Sequence, residues 1–87
     1  MTTTLTESEA VAIVREALAT IAPGPALEAL AVDEDLREAL GLDSLDFLAL
    51  VTRVSERTGR RIEEDDYDRL ENLSGWAEML TAMPPPA

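Results

Sequence analysis

DLREALGLDSLDFLALV, residues 35–51, passes from a leucine-anchored turn into an apolar-faced helix within a few positions. Leu36 and Leu40 stand four apart, the spacing of one helical turn, and Gly41 follows where a left-handed C-cap falls. Asp43 then offers a capping carboxylate, and Asp46 sits in the first turn, where the helix dipole favours negative charge. Phe47, Leu50, Val51 and Val54 recur at steps of three and four. This predicts a helix from Asp43 to about Thr58, ended by Gly59, with Arg57, Arg60 and Arg61 near its negative end. Ser44 is the residue left over. With Asp43 as the cap, Ser44 takes the first helical position at the rim of the buried stripe. Its hydroxyl then lies among free N–H groups at the positive end of the dipole, surroundings that suit a phosphate ester.

Working outward, Thr6 and Glu9 form a capping-box pair, Leu5 sits at the position of a hydrophobic staple, and Val11, Val14, Leu18 and Ile21 mark one face of a first helix. "APGP" at 22–25 stops it, because proline lacks a backbone donor and restricts its predecessor. Leu27 and Leu30 fit a short helical turn in the long connection, and Leu36, Leu40 and Leu42 read as anchors pinning that connection to a core. Ile62 is a lone apolar anchor, and "EEDDYDRL" at 63–70 predicts a short, acidic-started helix around 64–70. Ser74 is expected to cap a last helix with Leu73, Trp76, Ala77 and Leu80 facing inward. The fold class expected is all-α: a small four-helix bundle with three main helices, one short helix and a long first loop. One domain over residues 1–82 and a flexible proline-rich tail over 83–87 are expected.

The composition narrows function further. Among 87 residues there is no histidine, cysteine or lysine, and 18 acidic side chains face seven arginines, for a net charge of -11. Nucleic acid and anionic lipid both require cationic contacts, so neither is an expected partner. A basic protein surface is. The start "MTTTLTESEA" has neither a basic region nor an apolar run, and no stretch is long enough to span a membrane, so a cytoplasmic location is expected. Nothing pairs a nucleophile with a base, so the chain is not expected to be an enzyme. The acidic runs at 33–38 and 63–66 do not fit a calcium loop, because numbering from Asp33 puts Glu38 where the sharp turn needs glycine. They read as solvated faces, and no metal site is expected.

Leucine anchors, then Gly-Leu-Asp-Ser-Leu-Asp, then an apolar helix, all within an acidic helical chain, resemble the attachment motif of the acyl carrier proteins. The resemblance extends over the first helix, the long loop, the "RIEEDDYDRL" passage at 61–70 and the final helix. It implies that Ser44 carries 4′-phosphopantetheine, transferred from coenzyme A by a separate transferase, with Mg²⁺ acting only within that complex. Asp43 would help present the serine, and Leu45 would contact partner enzymes. Asp46, Leu48, Ala49 and Arg53 are expected along the partner-contact rim. Phe47, Leu50, Val51, Val54 and Ile62 are expected as acyl pocket or core, with the Phe47 ring limiting the space open to an acyl chain.

The sequence departs from the family in one respect. Ala49 stands where many members carry glutamate, and the outward positions Ala49, Thr52, Arg53, Ser55, Glu56 and Arg57 sum to a nearly neutral face. A discrete, monomeric acyl carrier is therefore expected, serving a specialised fatty-acid, lipid or polyketide-type pathway. Its partners would be the transferase and acyl-loading and acyl-using enzymes. The alternatives are a peptidyl or aryl carrier of non-ribosomal peptide-type assembly, and an unmodified helical adaptor with the carrier fold.

Overall fold

Thr6 and Glu9 start the first helix as expected: the Thr6 N–H donates to Glu9 Oε1 at 3.0 Å, and the Glu9 N–H donates to Thr6 Oγ1 at 3.1 Å. The computed structural model describes residues 5–83; the first residues of the chain and most of the proline-rich tail lie outside them. Five α-helices and one 3₁₀ helix follow in order: α1 (Glu7–Ile21), α2 (Pro25–Glu28), α3 (Leu36–Leu40), α4 (Ser44–Thr58), the 3₁₀ helix (Glu64–Arg69) and α5 (Leu73–Ala82). There is no strand among the described residues, and the architecture is the small all-helical bundle expected. None of the helices is long and apolar enough to cross a membrane.

The buried face of α1 is Ala10, Val14, Ala17 and Leu18, whereas Val11 and Ile21 are only partly buried. This rotates the expected stripe toward two alanines. Small side chains there let α1 pack closely against both α4 and α5. The core these three helices enclose includes Leu50, Val54, Leu73, Trp76 and Leu80, each fully buried. Fully burying one such aliphatic side chain contributes about 1.5–3 kcal/mol.

The long connection is more structured than a loop. Leu27, Leu30, Leu36 and Leu42 are buried, while Leu40 is only partly so. Arg15 of α1 holds it from below, with Nη1 donating to the Leu27 carbonyl at 3.1 Å and Nη2 to the Leu30 carbonyl at 2.6 Å. Its far end is tied to the approach and first turn of α5: the Leu36 N–H donates to the Glu71 carbonyl at 2.8 Å, and the Ser74 N–H donates to the Val32 carbonyl at 2.9 Å.

Ser74 is not the cap of the last helix. Asn72 is: it stays extended, and its Oδ1 accepts the Gly75 N–H at 2.7 Å, which places Ser74 at the second helical position. The short acidic helix exists, but as a 3₁₀ turn with no residue fully buried. Ser55 does not face outward as expected; its hydroxyl donates to the Arg60 carbonyl at 2.6 Å and closes the end of α4. Arg60 itself is buried, its Nη1 donating to the Thr58 carbonyl at 3.4 Å.

Candidate functional site

The entry to α4 is built one residue at a time. Gly41 takes a left-handed conformation (φ 67°), which an L side chain adopts only with strain, and so ends α3 and turns the chain. Leu42 drops into the core, its N–H donating to the Arg37 carbonyl at 3.1 Å. Asp43 is the N-cap: its Oδ1 accepts the Asp46 N–H at 2.8 Å, and Asp46 Oδ2 accepts the Asp43 N–H at 3.4 Å. Ser44 is thus relieved of capping. It is the first residue of a 15-residue helix, it is exposed, and its hydroxyl makes no hydrogen bond to any described residue.

Around it the surface is mixed. Leu45 is 76% exposed and Leu48 46%, an unusual concentration of open leucine for so small a protein. Ala49 and Asp46 are half-buried, and Arg53 is exposed about two and a half turns along α4. Arg57, expected on the same outer face, instead reaches across to α1 and pairs with Glu16 at 2.8 Å.

Of the residues expected as pocket or core, Phe47, Leu50, Val51 and Val54 are buried, and Ile62 is only half-buried at the edge of the core. Phe47 borders a cleft. A cleft of about 330 Å³ lies between α3, α4 and the 3₁₀ helix, walled by Asp35, Arg37, Phe47, Tyr67, Asp68 and Glu71 with Leu70 beneath. The Phe47 and Tyr67 rings meet edge to face, centroids 5.3 Å apart and planes at 80°. The Arg37 guanidinium lies over the Phe47 ring, 4.6 Å from its centroid. Arg37 and Tyr67 were invisible as a site in the sequence, since they stand ten and twenty residues from Phe47. The only signal was scarcity, with one phenylalanine and one tyrosine in the chain.

The arrangement suits a phosphate ester at Ser44: an open hydroxyl on the first turn of a long helix, beside backbone N–H groups at the rim of the apolar stripe. Residues 11–80 match the family model described as the phosphopantetheine attachment site. The chain belongs to that family. The carrier domain is also similar to an acyl carrier protein of Saccharopolyspora erythraea, 35% identical over 52 residues, which are 60% of this chain and 55% of that protein. The chain thus spans about half the length of the relative it matches. The prosthetic group of the carrier domain is a covalently attached 4′-phosphopantetheine.

Proposed function

We propose that Ser44 is the attachment residue and that the chain acts as an acyl carrier. It holds an acyl group as a thioester and delivers it to partner enzymes. The observation that carries this reading is the division of labour at the head of α4: Asp43 and Asp46 cap the helix between them, and the adjacent serine hydroxyl is left open. When bound, the group supplies a thiol on a long arm, which the cysteine-free chain itself lacks.

In the attachment step, Ser44 Oγ forms a bond to the phosphorus of coenzyme A that bears the pantetheine. The P–O bond to the adenosine-bisphosphate half breaks, and the hydroxyl proton leaves. We assign the base that takes this proton to the transferase: the chain has no histidine, lysine or cysteine, and the Ser44 hydroxyl hydrogen-bonds to no described carboxylate. Mg²⁺ bound in that complex would supply charge neutralisation for the departing phosphate of the adenosine bisphosphate. What this chain contributes is position. Leu42 pins the turn, the aspartate box holds the first turn, and Leu45 and Leu48 offer apolar contacts beside the serine.

The exposed part of the outer face of α4, with Thr52, Arg53 and Glu56, supports a specialised fatty-acid, lipid or polyketide-type pathway. Its partners would have a contact surface that is not uniformly basic. Trypsin cleaves after Arg37 and Arg53, so peptide 38–53 isolates Ser44 from every other serine. Tandem mass spectrometry of the modified chain should place the adduct on Ser44 in that peptide; an adduct elsewhere contradicts the assignment. Exchange with general fatty-acid synthesis enzymes should be poor, and full activity there would contradict the specialised pathway.

A further inference from the structure

Attachment of the arm adds a phosphodiester charge beside Asp43 and Asp46, in a chain already at -11. The chain has only seven cations to set against it, all arginine. Arg15 is spent on the Leu27 and Leu30 carbonyls, Arg57 on Glu16, and Arg61 on Glu63 at 2.9 Å. Arg60 is buried behind the end of α4, and Arg53 stands nine residues beyond Ser44, about 13 Å along the helix axis. Arg69 does not line the cleft that Phe47 borders, and Arg37 does.

We propose that Arg37 is the counter-ion of the phosphodiester on Ser44, an inference that rests on Ser44 being the attachment residue. Phe47 follows Ser44 by three residues, so the two side chains share one side of α4, about 4.5 Å apart along its axis. The Arg37 guanidinium sits on that ring, at 4.6 Å. It forms no ion pair with a described carboxylate, although Asp35, Asp68 and Glu71 wall the same cleft, and its N–H groups donate to no described acceptor. A guanidinium held over an aromatic ring spends none of its N–H donors on that contact, and two parallel N–H groups match the oxygens of a phosphate. The ring therefore parks a cation with open donors next to the place where a negative group arrives. Asp43 and Asp46 do not compete for it, because each is engaged with the other's amide.

A cycle of apo and fully modified protein, each as wild type, Arg37→Ala and Arg37→Gln, tests this, with Arg53→Ala as a distant control. Conversion is checked by intact mass, and the folding equilibrium of each form is read by urea denaturation. Modification should disfavour the folded state of both Arg37 variants about two- to fivefold more than that of wild type or Arg53→Ala, the range of an exposed charge pair. The difference should fade in 1 M salt, where the screening length is about 3 Å. The Arg37 Nε–H resonance of wild type should also move on modification. Equal apo-to-modified changes in all four proteins, with an unmoved Arg37 resonance, would overturn the role of Arg37 alone. Failure of Ser44 to accept the group would overturn the reading beneath it.

Discussion

Asp43 and Asp46 close a reciprocal box at the head of α4, each carboxylate accepting the other's backbone N–H, at 2.8 and 3.4 Å. Ser44 sits between them and takes no part. The two neighbours should therefore respond oppositely to substitution. Asp43→Ala removes the cap and should cost about 0.5–2 kcal/mol of stability. Ser44→Ala should change stability by no more than about 0.5 kcal/mol, as at an ordinary surface position. Urea denaturation of the unmodified proteins measures both. An equal loss in the two variants would mean that the serine is the cap.

Gly75 should not tolerate a side chain. A Cβ there would overlap the Arg69 carbonyl oxygen, which is backbone and has no rotamer to escape into. Its N–H is also the one that Asn72 caps. Gly75→Ala should cost about 1–3 kcal/mol by overpacking the junction between the 3₁₀ helix and α5. Differential scanning calorimetry should register this at about 4–8 °C per kcal/mol for a domain of this size. An unchanged Tm would contradict the close approach.

Arg15 should prove structural. Its two hydrogen bonds to the Leu27 and Leu30 carbonyls fix the first half of the connection against α1. Arg15→Ala should cost about 1.5–3 kcal/mol, the range for hydrogen bonds to a charged group, and should speed amide hydrogen exchange across residues 27–30. Arg15→Lys should recover little of this, because an ammonium cannot reproduce the fork that spans two carbonyls. Full recovery with lysine would reduce the role of Arg15 to charge alone.

Glu9 gives a pH dependence with a definite sign. Hydrogen bonds from Thr6, first its backbone N–H and then its hydroxyl, hold the Glu9 carboxyl below its ordinary value of 4.5. A folded-state value below the unfolded one means that the contribution is present above the unfolded value and lost as pH falls through the folded one. The first turn of α1 should accordingly loosen in acid. An NMR titration should find Glu9 below the ordinary glutamate value and moved upward in Thr6→Val. A Glu9 that titrates at the ordinary value in wild type would contradict the capping box.

What was legible in the sequence was local. The Thr6–Glu9 capping box, the Asp43 cap, the Gly41 turn and the apolar stripe of α4 each rest on residues within a few positions of one another, and all are found where expected. The face of α1 was misplaced because Ala10 and Ala17 carry little hydropathy, yet their small size lets α1 approach its neighbours closely. The start of α5 was misplaced by two residues because Asn72 and Ser74 are both good caps. Only the tie from Ser74 N–H to the Val32 carbonyl shows which one the chain leaves for the helix interior. The cleft that Phe47 borders was not legible at all, since α3, α4 and the 3₁₀ helix each contribute to it and no spacing links Arg37, Phe47 and Tyr67.

The central claim is that the open hydroxyl beside the aspartate box is what the prosthetic group is attached to. Intact mass tests it most directly, on wild type and Ser44→Ala incubated with coenzyme A, Mg²⁺ and a broad-specificity phosphopantetheinyl transferase. One phosphopantetheine added to the wild type and none to a folded Ser44→Ala is the predicted result. An unmodified wild type, or an adduct that survives Ser44→Ala, would contradict it.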